Sequence, residues 1–502
     1  MDTTNDTKII EIDRSTFGGS VKAIASKSHA HRLLIAAALS DTKELFIECS
    51  ETSADINATA SCMSAMGADI TRVDNGFIVK PVSRLSITNN PAHSIEPAQT
   101  DEDHNNTLVD AVFNNKNDIV RMDAGESGST LRFLLPVIGV LGLNAEITTH
   151  GRLSARPLSP LYEEMQEKGI ALSPQGSNPL TLSGKMSGGT YTIAGNISSQ
   201  YITGLLLALP LAETDSEIRI TGVLASRPYV DITLDVLRQA GIVVDEIILG
   251  QKSENPSEDH ESFHIDNMSE VTENITLIFR IKGNQHYNLP YHCIVEGDWS
   301  NAAFFLSAGA IADKPVTVRR LNMNSKQGDM DILHLLELFG ADVTIDPSST
   351  DNTSSADDPA TLISPGLSDI TITPRPLHGI EIDAENIPDL VPILSLVASV
   401  AEGTTVIRNI ERLRIKESDR VATIIDTLTR LGADIREENR CLVINGKPSL
   451  KGDAVKSYND HRIAMTAAIA AICCSKPVTI EDPMAVNKSY PRFYEDLQAI
   501  CS

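Results

Sequence analysis

Hydrophobic and polar positions along this chain follow a pattern that recurs six times. In each repeat, a short polar cluster opens directly into an apolar run long enough to form a helix. The apolar runs read RLLIAAAL, LRFLLPVIGVL, YITGLLLALPL, AAFFLSAGAI, LVPILSLVASV and IAMTAAIAAI. The polar clusters that precede them occupy residues 26–28, 125–129, 198–200, 298–301, 387–389 and 459–462. Six copies of one pattern predict an architecture built from a single ancestral unit.

A strand-like segment follows each apolar run, and in most repeats an amphipathic helix that ends near a glycine comes next. The strand-like segments are KELFIEC, AEITTHG, EIRITG, PVTVRRL, TTVIRNI and KPVTIED. The amphipathic segments include DINATASCMSAMG, SPLYEEMQEKG, VDITLDVLRQAG and DRVATIIDTLTRLG. Regular interleaving of helices and strands predicts layered α/β or α+β packing. With three units on each side of about residue 295, the chain is expected to form two similar halves that face each other.

Three polar stretches lengthen the spacing between repeats. They cover roughly residues 88–118, 251–274 and 346–360 and are rich in Asp, Asn, Ser and Pro. Such segments bury too little apolar surface to pack into a core, so we expect surface loops without a catalytic role.

Length and composition narrow the class of protein. At 502 residues the chain suits two sizeable domains, and no apolar run approaches the roughly 20 residues that span a bilayer. The N-terminal stretch MDTTNDTKIIEIDRS lacks the basic and hydrophobic segments of a secretion signal. Seven scattered cysteines argue against a disulfide framework. We therefore expect a protein of the reducing cytoplasm.

The net charge of −25 disfavours nucleic acids and anionic membranes as partners. Anionic small ligands remain compatible with it, because a local cluster of cations can outweigh the overall field.

Cations recur close to the predicted helix starts. Arg32, Arg132, Arg420 and Arg462 each follow a Ser, Asp or Gly by two to four residues, and Lys27 precedes the first helix directly. A cation in the first turn of a helix costs roughly 0.3–1 kcal/mol, because the helix N-terminus is itself partially positive. Any one of these arginines could be a solvated surface charge. Together they predict an anion bound at the helix N-termini.

Motifs for other chemistries are missing from the sequence. There is no GxxxxGK[ST] and no GxGxxG after a strand, which argues against nucleotide-phosphate loops. His29 and His31 lie two residues apart, so a helix would point them in different directions and a zinc pair is not expected. We expect neither a metal nor a cofactor.

Ten short motifs occur in the order typical of one enzyme family. They are SKSHAHR, GESGSTLRF, GRLSARP, SSQYITGLL, ASRPYVDIT, EGDWSNAA, NIPD, RIKESDR, YNDHRIAM and NKSYP. In these motifs the chain resembles the 5-enolpyruvylshikimate-3-phosphate synthase family, whose members are also called 3-phosphoshikimate 1-carboxyvinyltransferases. The resemblance covers essentially all of the chain outside the three polar stretches.

The resemblance implies a fold and a reaction. The fold is of the α/β (α+β) class, with two similar domains of three βαβαββ units each and helix N-termini that face an interdomain cleft. Residues 1–22 and 296–502 would form one domain, and 23–295 the other. The reaction transfers the enolpyruvyl group of phosphoenolpyruvate to the 5-hydroxyl of shikimate 3-phosphate, releases phosphate and passes through a tetrahedral intermediate. It belongs to chorismate and aromatic amino acid biosynthesis.

The two substrates explain the recurring cations. Each carries a carboxylate and a phosphate, so together they bring about five to six negative charges into the site. Buried anions without partners are too costly, so side-chain cations would have to neutralise them. The resemblance implies no cofactor, no metal and no macromolecular partner, and it favours a monomer.

Site residues follow from the same motifs, position by position. The resemblance implies that shikimate 3-phosphate binds to Lys27, Ser28, Arg32, Ser198, Ser199, Ser226, Tyr229, Asp389, Arg412 and Lys416. It implies that phosphoenolpyruvate binds to Lys27, Gly128, Arg132, Arg152, Gln200, Arg420, Arg462 and Lys488. The catalytic residues would be Asp389 as the base for the 5-hydroxyl, Glu417 as the acid toward the methylene carbon, and Lys27 between both substrates.

The chain departs from the family pattern at a few of these positions. Glu126 and Ser127 stand where the family often has Asn-Ala, which adds a carboxylate beside the phosphoenolpyruvate pocket. Arg412 stands where many members have Asn, which leaves its contact with shikimate 3-phosphate open. Two alternative functions are considered, a UDP-N-acetylglucosamine enolpyruvyl transferase and an anion-binding repeat protein without catalysis.

Overall fold

The structure is a computed structural model, and it describes residues 9–14, 16–82, 119–249, 275–348 and 366–501. The strands in this part of the chain are β1 (Ile9–Ile12), β2 (Gly19–Lys22), β3 (Leu45–Glu48), β4 (Asp69–Val73), β5 (Gly76–Lys80), β6 (Ile119–Asp123), β7 (Asn144–Thr148), β8 (Ile170–Leu172), β9 (Leu180–Gly184), β10 (Thr190–Ala194), β11 (Ser216–Thr221), β12 (Val244–Ile248), β13 (Ile275–Ile281), β14 (His292–Ile294), β15 (Val316–Asn322), β16 (Asp342–Pro347), β17 (Leu367–Thr373), β18 (Glu381–Asp383), β19 (Thr404–Arg408), β20 (Asp434–Glu438), β21 (Cys441–Asn445), β22 (Ala454–Lys456) and β23 (Val478–Glu481).

The α-helices of the described residues are α1 (Lys27–Ala38), α2 (Ala54–Ala65), α3 (Gly128–Leu141), α4 (Leu161–Glu167), α5 (Ser199–Ala208), α6 (Arg227–Gln239), α7 (Trp299–Ile311), α8 (Ile332–Phe339), α9 (Val391–Val400), α10 (Arg420–Arg430), α11 (His461–Ala470) and α12 (Phe493–Ala499). Short 3₁₀ helices occupy Leu209–Leu211, Gly328–Asp331, Glu411–Ile415, Ala471–Cys473 and Pro483–Lys488. Most of every apolar run predicted as a helix lies in an α-helix, and every segment predicted as a strand contains most or all of a strand.

The polar stretches fall mostly outside the described residues. Residues 88–118 and 251–274 lie wholly outside, as does most of 346–360. The first residues of the third stretch are described, and Asp346 and Pro347 end strand β16, opposite Asp369 and Ser368. The predicted start of that loop is therefore two residues too early.

Six small sheets repeat one topology. In the sheet of order β6-β7-β9-β8, β6 runs parallel to β7, and β9 runs antiparallel to both β7 and β8. The sheets β10-β11-β13-β12, β14-β3-β5-β4, β16-β17-β15-β2 and β18-β19-β21-β20 share this arrangement, and β1-β23-β22 is a three-stranded version of it. In chain order the first of these units reads β6-α3-β7-α4-β8-β9. The predicted α/β (α+β) class with βαβαββ units is confirmed.

Two separate hydrophobic cores divide the described residues into two lobes. We define the N-lobe as described residues 27–295, whose core extends from Ala30 to Val295. The C-lobe comprises described residues 9–24 and 298–501, and its core joins Phe17 to residues between Trp299 and Ile500. The domain boundaries given above stay a prediction, which this division supports.

The central helix of each unit is buried on almost every face. In α3, twelve of fourteen residues are buried. A helix that is apolar all round has to lie inside its lobe. Its polar first turn is therefore the part that reaches the boundary between the lobes.

Two chain segments cross between the lobes side by side. Ala25 and Gly297 form an antiparallel bridge, and the Ser26 N–H donates to the Glu296 carbonyl at 2.8 Å. The Gln327 side chain accepts from Ser26 Oγ at 3.1 Å and donates to the Glu296 carboxylate at 2.9 Å. Because α1 begins directly after this crossing, its N-terminus is held at the lobe boundary.

Candidate active site between the two lobes

A cleft of about 1040 Å³, measured together with its opening to solvent, lies between the lobes. The N-lobe contributes Lys27, Ser28, Arg32, Ser129, Arg132, Phe133, Arg156, Pro157, Ile197, Ser198, Ser199, Gln200, Tyr201, Ser226 and Tyr229. The C-lobe contributes Asp298, Ser300, Asn301, Asp389, Arg412, Ile415, Lys416, Glu417, Arg420, His461, Arg462 and Ser489. A polar cleft of this size suits small metabolites.

Helices from both lobes begin at this cleft. Their capping side chains accept hydrogen bonds from backbone N–H groups of the first turn, at Ser26, Ser127, Ser198, Asp298, Asp419 and Asp460. The helices that these residues cap, α1, α3, α5, α7, α10 and α11, place their lining residues in their first two turns. Helix N-termini carry partial positive charge, so the walls of the cleft favour anions.

The four predicted arginines all reach the N-terminal ends of their helices. Arg420 and Arg462 occupy first turns, whereas Arg32 and Arg132 lie one turn later than predicted. Both of the latter run back along the helix and donate from Nη1 to the carbonyl four residues earlier, at 2.6 Å and 3.4 Å respectively. This direction is the usual one, because helical side chains tilt toward the N-terminus.

Four arginines of the cleft form no ion pair with any carboxylate of the described residues. Arg32, Arg132 and Arg412 hydrogen-bond to hydroxyl, amide or carbonyl groups, and the Nε atoms of Arg156 and Arg412 have no hydrogen-bond partner within that part of the chain. Burial lowers the pKa of Arg32 to about 9, and burial together with Arg156 lowers the pKa of Arg132 to about 10. Desolvated cations without counter-ions are costly, so these groups require an anionic ligand.

The residues that line the cleft carry a net positive charge. Among the described lining residues, eight are Lys or Arg and three are Asp or Glu, a formal excess of five positive charges. The chain as a whole carries −25, so the cleft has the opposite sign to the molecule. The local excess is comparable to the five to six negative charges of two ligands that each carry a carboxylate and a phosphate.

Lys27 is held between the lobes at the start of α1. Its Nζ lies 2.9 Å from Asp55 Oδ2, and its backbone N–H donates to Asp298 Oδ2 at 3.0 Å. Burial alone would lower the pKa of Lys27, but Asp55 and Glu417 outweigh it and raise the pKa. The ammonium group therefore stays charged inside the cleft.

Asp389 lies where both lobes meet. Its carboxylate accepts from the Tyr229 hydroxyl at 2.7 Å and from Arg420 Nη1 at 2.6 Å, while Arg462 Nη2 lies at 3.3 Å and Lys416 Nζ at 3.5 Å. Burial would raise its pKa, yet Arg462, Lys416 and Arg420 hold the pKa well below the usual value for an aspartate. The group is therefore an ionised carboxylate, able to accept a proton once a ligand displaces part of this shell.

Glu417 shares Arg420 with Asp389. Its carboxylate accepts from Arg420 Nη2 at 2.6 Å, and Arg420 Nε lies 2.9 Å from Asp460. Burial would raise the pKa of Glu417, but Arg420 and Arg156 outweigh it and hold the pKa well below its ordinary value. One guanidinium thus fixes the positions of both predicted catalytic carboxylates.

Fifteen of the predicted site residues line this cleft. They are Lys27, Ser28, Arg32, Arg132, Ser198, Ser199, Gln200, Ser226, Tyr229, Asp389, Arg412, Lys416, Glu417, Arg420 and Arg462. The three others, Gly128, Arg152 and Lys488, lie next to the cleft or away from it.

Gly128 lies against two arginine side chains of the cleft. A Cβ atom at this position would lie 2.6 Å from Arg132 Nη1 and 2.8 Å from Arg156 Nη1. The absence of a side chain therefore leaves room for both guanidinium groups, which gives this glycine a steric role.

Arg152 is not brought into the cleft. It lies exposed in a turn after Gly151, whereas Arg156, four residues later, lines the cleft and lies close enough to Glu417 to lower its pKa. Arg156 therefore lines the cleft, whereas Arg152, the arginine predicted as a ligand residue, does not. Both arginines belong to the motif GRLSARP, and nothing in their spacing separates them.

Lys488 lies beside the cleft without lining it. Its Nζ lies 2.8 Å from Glu126 Oε2 and donates to the Asn459 carbonyl at 2.5 Å. Its successor Ser489 does line the cleft, so Lys488 is at the rim.

Several lining or supporting residues were not predicted. Asp55 pairs with Lys27, Asp298 caps α7, and His461 begins α11 at the cleft. Asp298 lies in the motif EGDWSNAA and His461 in the motif YNDHRIAM. Both residues would have been predicted if every polar residue at a helix start had been included. Asp55 gave no such signal, because an acidic residue in a first helical turn is ordinary.

None of the helices in the described part of the chain is long and apolar enough to cross a membrane.

Known proteins resemble this chain along almost its whole length. The sequence profile of the family described as EPSP synthase (3-phosphoshikimate 1-carboxyvinyltransferase) matches residues 13–96, 93–262 and 253–497. The 3-phosphoshikimate 1-carboxyvinyltransferase of Clostridium kluyveri is 35% identical over 494 residues, covering 98% of this chain and 97% of that protein. The enzyme of the same name from Clostridium acetobutylicum is 38% identical over 493 residues, with the same coverage of 98% and 97%.

Solved structures share the fold. EPSP synthase from Acinetobacter baumannii superposes with a TM-score of 0.71 at 22% identity and covers 99% of this chain and 98% of that one. The enolpyruvyl transferase NikO from Streptomyces tendae has a TM-score of 0.65 at 17% identity, with 98% of each chain covered. The profile and the curated relatives, taken with the cationic cleft between two lobes, lead to one conclusion: the chain belongs to the EPSP synthase (3-phosphoshikimate 1-carboxyvinyltransferase) family.

Proposed function

We propose that the cleft is the active site in which this chain transfers the enolpyruvyl group of phosphoenolpyruvate to the 5-hydroxyl of shikimate 3-phosphate and releases phosphate. The reaction is that of its curated relatives and a step of the shikimate pathway. The observation that carries the proposal is the excess of five positive charges among the described residues that line the cleft, with four guanidinium groups that form no ion pair in that part of the chain. Two polyanionic substrates would neutralise it.

Shikimate 3-phosphate is assigned to the side of the cleft where α1, α5 and α6 begin. The groups proposed to hold it are Lys27, Ser28, Arg32, Ser198, Ser199, Ser226, Tyr229, Asp389, Arg412 and Lys416. Hydroxyl groups at helix N-termini beside Arg32 suit a phosphate, because they add neutral donors to a charged one. Arg412 donates to Ser226 Oγ at 2.6 Å across the lobes, which supports its inclusion despite the departure from the family pattern.

Phosphoenolpyruvate is assigned to the side where α3, α10 and α11 begin. The groups proposed to hold it are Lys27, Arg132, Arg156, Gln200, Arg420 and Arg462, with Gly128 behind the guanidinium groups and Lys488 at the rim. Planar guanidinium groups bind carboxylate and phosphate in pairs of hydrogen bonds, so several arginines can hold a small dianion firmly.

The proposed chemistry uses two carboxylates and one ammonium group. Asp389 takes the proton of the 5-hydroxyl as that oxygen bonds to C2 of phosphoenolpyruvate, and Glu417 in its acid form protonates the methylene carbon. Lys27 stabilises the negative charge of both substrates. The tetrahedral intermediate then loses phosphate: the bond between C2 and the phosphate oxygen breaks, and a proton of the methyl group returns to Glu417.

Glu417 has to be protonated before the first step. Without ligands its pKa is held low by Arg420 and Arg156 against the effect of burial. Bound anions would offset those two cations and raise the pKa toward the acid form. Asp389 and Glu417 would then have different protonation states in one site.

The decisive experiment is an assay of phosphate release with phosphoenolpyruvate and either shikimate 3-phosphate or UDP-N-acetylglucosamine. We expect release with shikimate 3-phosphate only. Release with the UDP-sugar only would overturn the proposal in favour of that branch, and no release with either would favour an anion-binding protein without catalysis. The curated relatives do not favour these two alternatives.

Arg156→Met is expected to raise KM for phosphoenolpyruvate by on the order of a hundredfold, because a half-buried cation of the cleft, proposed to pair with a substrate anion, is lost. Arg152→Met is the matched control, since it removes the same group from an exposed position in the same turn. Its KM should stay within about twofold of the wild type. Steady-state phosphate release measures both values, and equal effects of the two substitutions would contradict the assignment of Arg156.

We further propose that the protein is a monomer of the cytoplasm with no nucleic-acid partner. Support comes from the net charge of −25, which repels polyanions, and from seven cysteines that are all free thiols.

A further inference from the structure

Glu126 connects the two lobes outside the cleft. This N-lobe carboxylate accepts from Asn459 Nδ2 at 3.1 Å and 2.9 Å, and its Oε2 lies 2.8 Å from Lys488 Nζ. The two partners are 333 and 362 residues away along the chain, and both belong to the C-lobe. Glu126, Asn459 and Lys488 are hereafter called the rim cluster.

The rim cluster sits directly behind two helix starts of the active site. Glu126 precedes Ser127, the cap of α3, and Asn459 precedes Asp460, the cap of α11. Gly151 makes room for the carboxylate, because a Cβ atom there would lie 2.5 Å from Glu126 Oε2. A contact at this place therefore sets the distance between α3 and α11, the helices that carry two of the arginines assigned to phosphoenolpyruvate.

Apart from the crossing of the two chain segments, two other hydrogen bonds between the lobes lie inside the cleft. Tyr229 donates to Asp389 at 2.7 Å, and Arg412 donates to Ser226 at 2.6 Å. All four residues line the cleft, so an arriving substrate would compete for these hydrogen bonds. The rim cluster lines no part of it and can persist when the cleft is filled.

The rim cluster also determines where the Lys488 ammonium group points. Glu126 and the Asn459 carbonyl both contact Nζ, and the Lys488 side chain is only 13% exposed. The Glu126 side chain is 31% exposed, and a charged pair with one largely buried partner is worth more than a freely exposed one.

We infer that Glu126 is a positioning residue for the phosphoenolpyruvate half of the site: its carboxylate joins the lobes and holds Lys488 at the rim. The inference rests on the proposed function. It assigns Glu126 an effect on the population of the closed cleft. The apparent affinity of a ligand that needs the closed form falls in proportion to the fraction of molecules that are closed. The chemical step, which uses Asp389, Glu417 and Lys27, is left unchanged.

The test uses an exchange of the two side chains that meet. Glu126→Gln removes the carboxylate, and Asn459→Asp places a second carboxylate opposite the first in a left-handed backbone conformation that Asp tolerates. The double variant Glu126→Gln with Asn459→Asp restores one amide and one carboxylate in exchanged positions. Glu213→Gln is the control, because it removes a carboxylate from an exposed ion pair within the N-lobe, 2.6 Å from Lys185.

We expect each single variant to raise KM for phosphoenolpyruvate by about three- to tenfold, with kcat within twofold of the wild type. The double variant should recover most of the loss, and Glu213→Gln should match the wild type. The single variants should also increase the radius of gyration in small-angle scattering without substrates, and added salt should reduce the difference.

The inference is overturned if Glu126→Gln behaves like Glu213→Gln in both measurements, or if the exchanged pair is no better than the single variants. A fall in kcat at unchanged KM would also overturn it, because Glu126 would then act on the chemical step. Scattering of the substrate-free protein does not depend on the reaction, so failure of the rim cluster and failure of the proposed function give different results.

Discussion

Lys27→Met is expected to abolish turnover, with kcat lowered by on the order of a thousandfold or more. The Lys27 ammonium group lies 2.9 Å from Asp55, its pKa is raised by Asp55 and Glu417 against the effect of burial, and it is assigned to both substrates. Methionine has a similar length and removes only the charge, so the two substrate anions would face each other without this screen. Phosphate release under saturating substrates measures the loss.

The control for this substitution is Lys80→Met. Lys80 also pairs with an aspartate of the N-lobe, at 3.0 Å from Asp69, but both side chains are more than half exposed. We expect wild-type kinetics for it. Thermal unfolding separates loss of charge from loss of fold, and near-normal phosphate release by a folded Lys27→Met protein would refute the assigned role.

Asp389→Ala is expected to lower kcat by on the order of a hundredfold or more, while both substrates still bind. The carboxylate is the proposed base for the 5-hydroxyl, and Arg420, Arg462 and Lys416 surround it at 2.6 to 3.5 Å. Asp389→Asn keeps the hydrogen bond from Tyr229 and removes the base, so it should show the same loss.

Binding and catalysis are measured separately for these variants. Calorimetric titration with shikimate 3-phosphate should give a dissociation constant within about tenfold of the wild type, because Arg32 and the hydroxyl groups of the site remain. Asp342→Asn is the control, an exposed aspartate of the C-lobe that lies 3.3 Å from Arg375. Loss of binding with unchanged kcat would show that Asp389 is a ligand residue and not the base.

Local patterns were sufficient for most of the architecture. The caps Ser26, Ser127 and Ser198 and the apolar runs after them predicted where helices begin, because a cap acts on N–H groups only two or three residues away. The repeated order of strand and helix likewise predicted layered α/β or α+β packing, whereas the βαβαββ unit was implied by the family resemblance. The position of each sheet within a lobe does not follow from such patterns, since it depends on contacts between distant strands such as β14 and β3.

Site residues were predictable to the extent that they stand at helix starts. The motif GRLSARP shows where prediction from sequence stops. It contains both Arg152 and Arg156, and only the conformation of the turn between them decides which guanidinium group faces the cleft. The pairing of Lys27 with Asp55 was missed for a related reason. It joins the starts of two helices that are adjacent only after folding.

The residue types alone predicted that the chain alternates helices and strands in six copies and that cations accumulate where helices begin. From these cations followed the prediction that an anion binds at the helix N-termini. These features act over a few neighbouring residues, and so they can be recognised without knowing the fold. The packing of the two lobes determined which of those cations share a cleft and that Glu126 meets Asn459 and Lys488. The fold of the C-lobe determined that Arg420 holds both of the carboxylates proposed as catalytic. Apart from the pair of Arg420 with Glu417, these contacts join residues tens to hundreds of positions apart, so they exist only once the chain is folded.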